Sequence, residues 1–531
     1  MADNTVILEQ TLGDALDAAA VQWGDRTGWV FEDTRVSFSE MAENSRAVAR
    51  ALMADGIEKG GLVATWMPSL REFAEIEYAC ARIGAIVVPI NTRFKSFEVS
   101  HMLGETEAKI LIVTERFLKN DYVAMLAELD ALGGGALPAL QRVVSVDSPH
   151  DPRLTGWDAF LARGEGVSPD ALAARQASLH WSEPMLLQYT SGSTSAPKGA
   201  LLNHRYVLNV GNVKFRRMAV GEGDAVLSTQ PIYHIGGSCA AVPTPISLGC
   251  IMVIPKYYEA ERVLQLIARE RCMSRTGMPA MFIMEMNHPN FGTYDLSSLR
   301  TASCTGTAEM REKIRDKMGI PYVMSAFSST EAGGTHGDWQ ESWELRANTC
   351  GRPYVGTELQ IRDPETGRVM APGEAGEIFI RGWWTMNGYF KQPELTRKTM
   401  DAEGFVRTGD RAMLDADGYL HFLGRYKNML RVGGENVAAE EIESMLLTHP
   451  KVKQAAVIGM PDTRLTEVPM AIVELVAGVA AEEAEIIGYC AGRMANFRVP
   501  RAVRFTESWP MTGSGKIQRH LLAETFLPPA Q

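Results

Sequence analysis

The chain has 531 residues, too many for one ordinary domain, so two or more are expected. A hydrophobic content of 46% and a charged content of 22% are those of a soluble globular protein. The net charge of −11 argues against general nucleic-acid or anionic-membrane binding, so any anionic ligand must meet locally placed lysines and backbone amides.

Seven cysteines with no C-x-x-C pair suit free thiols in a reducing cytoplasm, not a disulfide framework or a zinc site. The polar start Met1-Ala2-Asp3-Asn4 carries no secretory signature, and the apolar run 246–254 is too short to span a bilayer. The end, Pro528-Pro529-Ala530-Gln531, is no peroxisomal address.

Residues 11–22 read as a helix with leucine and alanine on one face. Residues 38–55 read as a second helix, capped by Ser37 or Ser39. The apolar runs 62–66, 83–90 and 109–113 read as strands, and 83–90 looks like a buried parallel one. This alternation predicts a doubly wound α/β domain. Gly133-Gly134-Gly135 reads as a loop.

Met185-Leu186-Leu187 reads as a strand running into Thr190, Ser191, Gly192, Ser193, Thr194 and Ser195, then Pro197-Lys198-Gly199. Hydroxyls and backbone N–H groups hold phosphate oxygens, and a lysine adds a mobile charge. A Walker loop needs glycine before its lysine, and here Pro197 stands there. The bland reading is a flexible surface loop, but a linker has no use for Pro-Lys-Gly at its end.

Further on, His234 follows Pro231-Ile232-Tyr233 and precedes a run of small residues, Gly236 to Ala241, which suits either a roomy pocket wall or close packing. Alone, His234 would be a turn histidine with one backbone hydrogen bond. Cys304 reads as a packing residue, with no histidine nearby in sequence. Thr330-Glu331 alone could be a helix start with its capping hydroxyl. Asp410, after Gly409, could accept two ribose hydroxyls or cap its own turn. Asp415-Ala416-Asp417-Gly418 signals a hairpin before Gly424-Arg425. Lys516 ends a Gly-Ser-Gly-Lys tip, where an exposed solvated lysine is the usual outcome.

These stretches, with Thr305-Gly306-Thr307, Phe327-Ser328-Ser329-Thr330-Glu331, Gly376 to Gly382 and Met386 to Tyr389, occur in the order found in the AMP-forming adenylating superfamily, which the chain resembles over nearly its whole length. That superfamily holds acyl-CoA synthetases, adenylation domains of peptide synthetases and beetle luciferases. Its pattern differs here at Ser195 and Ser328, where members carry glycine, at Phe327, where they carry tyrosine, and at 305–308, where Gly-Gly-Ala-Pro is common.

The resemblance implies a large N-terminal domain of layered α/β sheets with a β-rich subdomain, residues 1–426. A small mobile α+β domain, 428–531, would turn about a hinge at Lys427. It implies that Thr190, Ser191, Gly192, Ser193, Thr194 and Lys198 hold phosphates, and that Thr305, Gly306, Thr307 and Phe327 lie around adenine. Asp410 and Arg425 would hold ribose and phosphate, and His234 would lie beside the acyl pocket. Thr330 would touch the α-phosphate, and Glu331, with Thr190, would hold Mg²⁺. Lys516 would drive adenylation. Gly433 and Gly434 would then turn inward to pass the pantetheine arm of CoA.

The implied reaction joins a carboxylic acid to CoA with ATP, releasing AMP and pyrophosphate. A medium- to long-chain fatty or alicyclic acid is expected, with an aromatic acid as the alternative. Loading of a carrier protein, a luciferase-like oxygenase and a non-enzymatic nucleotide-binding module are the other readings. Expected partners are small molecules, without nucleic acid or an integral membrane segment, and a homodimer is allowed.

Overall fold

The computed structural model describes residues 6–129, 131, 137–190, 198–432, 435–462, 465–491, 493–494, 496–511 and 516–527. The expected loop Gly133 to Gly135, the phosphate-loop residues Ser191 to Ser195, and Gly433 and Gly434 lie outside them.

Two large sheets carry the N-terminal part. One runs, by strand neighbours, Tyr322–Met324, Thr301–Cys304, Ser274–Gly277, Ala225–Ser228, Ile251–Ile254 and Thr27–Phe31 in parallel, with Thr34–Ser37 antiparallel at its edge. The other places Gly388–Tyr389, Lys198–Asn203 and Pro184–Thr190 beside the parallel set Ile86–Pro89, Leu62–Trp66, Ile110–Val113, Arg142–Ser145 and Thr155–Gly156. Nearly continuous apolar strands need cover on both faces. Helices Leu12–Trp23, Phe38–Ala54, Arg71–Ile83 and His204–Arg216 supply it, and their buried faces share one core with Trp29, Tyr78 and Tyr206. Trp29 Nε1 and Tyr78 Oη both donate to the carbonyl of Val242, at 2.9 and 2.8 Å, which ties the sheet to this helical layer.

Local signals account for several boundaries. Thr11 caps the first helix by accepting from Asp14 N, and Ser37 with Glu40 forms a reciprocal capping box on the second. The expected strand at 83–90 is shorter. Ile83 closes helix Arg71–Ile83, Gly84 takes the left-handed φ of +71° that ends it, and the strand begins at Ile86. Gly388–Tyr389 pairs with Lys198–Asn203 in the large sheet and not with the strands of the β-rich region.

The β-rich region is a four-stranded antiparallel sheet, Thr357–Arg362, Gly376–Gly382, Val406–Leu414 and Leu420–Arg425. A smaller C-terminal domain follows. Its sheet is built on the long hairpin Val452–Asp462 and Thr466–Leu475, flanked by Ala502–Phe505 and by Met429–Val432 with Glu435–Ala438, and covered by helices Ala439–Leu447 and Glu483–Ala491. No helix among the described residues is long and apolar enough to cross a membrane.

Candidate active site

Strands Pro184–Thr190 and Lys198–Asn203 are the two arms of an antiparallel hairpin, with Thr190 opposite Lys198. Thr190 Oγ1 donates to Lys198 O at 3.4 Å, and Lys198 Nζ stands 6.0 Å from the centre of the Tyr389 ring.

Tyr389 also reaches Glu331. Its hydroxyl donates to Glu331 Oε1 at 2.8 Å. Burial and the Glu331 charge push the phenol's pKa up, so it stays a donor. Thr330 and Glu331 do not start a helix; they form the turn between strands Ala326–Ser328 and Gly333–His336. Three contacts hold that turn. Tyr206 Oη donates to Thr330 O at 3.0 Å, Met386 N to Glu331 O at 2.9 Å, and Gly333 N to Trp384 O at 3.0 Å. A Cβ on Gly333 would stand 1.9 Å from the Trp384 indole, so only glycine lets the hairpin lie on that ring. Trp383 and Trp384 are buried packing residues.

Asp410 and Arg425 face each other across antiparallel strands, and Arg425 Nε lies 2.8 Å from Asp410 Oδ1. Asp410 is 1% exposed, so its charge needs that pairing. Lys516, from near the C-terminus, joins them. Its pKa is lowered chiefly by burial of the ammonium and then by Arg425, while Glu331 and Asp410 pull it back up. His234 is part of the same cluster. Burial, with Lys516 beside it, pushes its imidazole down to about 4. Its Nδ1 accepts from Gly236 N at 3.2 Å, so the ring is neutral with Nε2 as the N–H. The fold thus brings together His234, Glu331, Asp410, Arg425 and Lys516, which span almost 300 residues of sequence.

Other candidates are less simply placed. Phe327 is buried, and its ring stacks at 29° on Phe422 with centroids 5.8 Å apart. Thr305 is exposed, while Thr307 caps helix Ala308–Met318 through Met310 N. Arg311 Nη1 donates to the carbonyls of Cys304 and Gly306, fixing that turn. Cys304 is buried, its thiol pushed up to about 11, which fits packing and not nucleophilic chemistry. A Cβ on Gly237 would stand 2.2 Å from Pro231 O, so close packing explains that glycine in the small-residue run. Lys427 lies in the short 3₁₀ turn Tyr426–Asn428 that joins the two parts of the chain. A cavity of about 290 Å³ separates Thr307 and Glu309 from Glu441, Arg493 and Arg498 of the C-terminal domain.

Sequence reasoning missed Tyr389 and Tyr206 as site residues. Each acts through one hydroxyl on a segment remote in sequence, and no spacing marks such a contact.

Residues 16–390 match the family model described as AMP-binding enzyme, and residues 441–516 match the AMP-binding enzyme C-terminal domain. A putative acyl-CoA synthetase, YngI of Bacillus subtilis (strain 168), is 33% identical over 98% of this chain and 97% of its own length. The mitochondrial medium-chain acyl-CoA ligase ACSF2 of Mus musculus is 31% identical over 98% of this chain and 88% of its own. Among solved structures, the anthranilate CoA ligase AuaEII in complex with anthranoyl-AMP superposes with a TM-score of 0.83, at 25% identity and 98% coverage of both chains. With both family models matched in order and full-length relatives above 30% identity, the chain belongs to the AMP-binding enzyme family, as a member of its AMP-forming acyl-CoA synthetases.

Proposed function

We propose that the protein activates a medium- to long-chain fatty or alicyclic acid and transfers it to CoA. The observation that carries this reading is the gathering of Lys516 with Glu331, Asp410 and Arg425. A carboxylate and the α-phosphate of ATP repel each other, and an ammonium between them offsets that repulsion in the transition state. The carboxylate oxygen bonds to the α-phosphorus, and pyrophosphate leaves toward the strand ends at Thr190 and Lys198. In the second half, the CoA sulfur attacks the acyl carbonyl, its proton goes to solvent, and AMP leaves.

Mg²⁺ would accompany ATP. Such an ion is a hard cation held by carboxylate and phosphate oxygens. Glu331 fits as that carboxylate, with Tyr389 fixing Oε1, and Thr190 is the second candidate ligand. The ion would supply positive charge to the phosphate oxygens. Phe327, Thr305, Gly306 and Thr307 are assigned to adenine, Asp410 to ribose, and His234 to the carboxylate end of the acyl pocket. Between the half-reactions, residues 428–531 would turn about Lys427 relative to 1–426, withdrawing Lys516 and bringing Gly433 and Gly434 toward the thiol. Seven free cysteines agree with a reducing cytoplasm.

Medium-chain acids are named for the ACSF2 relatives, and an aromatic acid for AuaEII, so both classes belong in the test. Purified protein, ATP, Mg²⁺ and CoA are incubated with a panel of linear, alicyclic and aromatic acids. AMP and a thioester are expected only with a suitable acid, fastest with a medium-chain or alicyclic one. ADP as the product, or AMP without any thioester, rejects the assignment.

A further inference from the structure

Helix Ser96–Thr106 carries Glu105 in its last turn and Glu107 just past it, with no basic residue there. The C-terminal end of a helix bears partial negative charge, so two carboxylates at that end are unfavourable unless something outside the helix meets them. The end itself is well fixed. Thr106 Oγ1 donates to Met102 O at 2.6 Å, and Glu107, in the left-handed region at φ +53°, donates its N–H to Leu103 O at 3.0 Å.

Both carboxylates are met from the sheet that carries the phosphate strands. Tyr189 Oη donates to Glu105 Oε2 at 2.6 Å. Lys391 Nζ donates to Glu105 O at 2.9 Å and to Glu107 Oε2 at 3.2 Å. Tyr189 immediately precedes Thr190, and its ladder partner is Gly199, the residue after Lys198. A Cβ on Gly199 would stand 3.4 Å from Tyr189 Cζ, so the ring lies over that glycine. Lys391 follows Tyr389 by two residues, and between them Phe390 N donates to Gly199 O at 2.8 Å. One helix end thus holds both sides of a three-strand set, Pro184–Thr190, Lys198–Asn203 and Gly388–Tyr389. Met102 and Leu103 of the helix share a core against which Tyr189, Leu201 and Phe390 pack. Of the polar contacts, Glu105 with Tyr189 matters most. The side chains of Lys391 and Glu107 are 47% and 70% exposed, so water screens that pair. Glu105 is 19% exposed, and burial together with its charge pushes the Tyr189 phenol's pKa up, so the hydroxyl stays a donor to a charged acceptor.

We propose that Glu105 is a positioning residue for the β- and γ-phosphates of ATP: through Tyr189 it fixes the strand ends at Thr190 and Lys198 before the nucleotide arrives. This rests on the acid–CoA ligase reading, in which pyrophosphate leaves toward those strand ends, and adds to it a residue that touches no substrate. Without the contact the strand ends must be ordered at the moment of binding, and that cost appears as weaker binding of the triphosphate. AMP has neither of these phosphates, so its binding through adenine and ribose does not depend on Glu105.

The test is equilibrium binding of Mg·ATP and of AMP to the full chain by titration calorimetry. The variants are Tyr189→Phe, which keeps the ring over Gly199, Glu105→Ala, and Glu105→Gln, which keeps an acceptor. Tyr189→Phe and Glu105→Ala should each weaken Mg·ATP binding about tenfold and leave AMP within about twofold of wild type. Glu105→Gln should recover most of the loss, and the double variant Tyr189→Phe, Glu105→Ala should be little worse than either alone. In acid-dependent pyrophosphate–ATP exchange the same variants should raise the KM for ATP with little change in kcat. Unchanged Mg·ATP affinity overturns the assignment, as do additive losses in the double variant. Equal weakening of ATP and AMP also overturns it, because a general loosening of the fold does that. Binding is read without turnover, so a wild type that binds Mg·ATP yet makes AMP with no acid rejects the ligase reading, while the comparison of Mg·ATP with AMP still decides the role of Glu105.

Discussion

Tyr389→Phe isolates a single hydroxyl. The ring remains, so the contact with Lys198 at 6.0 Å and the pairing of Tyr389 with Ala200 are kept. What is lost is the 2.8 Å hydrogen bond to Glu331 Oε1. A hydrogen bond to a charged group contributes about 1.5–3 kcal/mol, and each 1.4 kcal/mol is about a factor of ten. If Glu331 must be held still to serve Mg·ATP, acid-dependent pyrophosphate–ATP exchange should fall by about 10- to 100-fold. The Mg²⁺ concentration giving half-maximal rate should rise, while the melting temperature stays close to wild type. Glu331→Gln alone should lose more, and the double variant Tyr389→Phe, Glu331→Gln should be little worse than Glu331→Gln, because both act through one contact. Exchange within twofold of wild type at every Mg²⁺ concentration would refute the reasoning and leave the hydroxyl as ordinary packing. Fully additive losses would also refute it.

Lys516→Ala should slow adenylation by about 10²-fold, as loss of a transition-state charge contact does, and nearly spare thioester formation from pre-made acyl-adenylate. Equal damage to both half-reactions would sink that division of labour. Glu77 is fully buried, neither carboxylate oxygen has a hydrogen-bond partner among the described residues, and burial raises its pKa well above the ordinary value. The folded state then keeps a proton that the unfolded chain releases above its pKa of about 4.5, so this group's contribution falls as pH rises, by up to about 1.4 kcal/mol per pH unit. Glu77→Gln should melt progressively higher than wild type from pH 5 to pH 8; a gap independent of pH shows that the carboxyl does not titrate this way.

The capping box at Ser37 and Glu40 was legible because its signal is complete within four residues. So were the strands Leu62–Trp66 and Ile110–Val113, where composition alone fixes an apolar run. The reading at 83–90 found the buried parallel strand but began it too early, because one continuous apolar stretch held a helix end and a strand start, separated by Gly84. Thr330-Glu331 looked locally like a helix start, yet the hairpin turn won, since Tyr206, Met386 and Trp384 hold its backbone from outside. Gly388–Tyr389 is two residues long and takes its place from a partner strand almost 190 positions earlier. Neither composition nor period encodes such a pairing. Asp410 and Arg425 were each found, but their direct opposition depends on the hairpin register through a bulge between Arg411 and Ala412.

The electrostatic balance of the site was not legible at all. The sequence gives a net charge of −11, which by itself disfavours ATP, CoA and an acid alike. The fold answers this locally. Around the proposed adenylation centre Glu331 and Asp410 stand against Arg425 and Lys516, two charges of each sign, so these four side chains sum to zero before substrate arrives. His234 adds nothing to that sum, because burial keeps it uncharged at neutral pH. Of the four charges, Arg425 and Asp410 are fixed to each other across one sheet, and Glu331 is fixed to Tyr389. Lys516 alone comes from the C-terminal domain, after the turn at Lys427. On the proposed mechanism its withdrawal removes one positive charge and leaves the centre net negative. That change works against retention of AMP once the acyl group has moved to sulfur. One mobile ammonium would thus favour bond formation when present and product release when absent, which gives the rotation of a whole domain a chemical purpose beyond opening a path for the thiol.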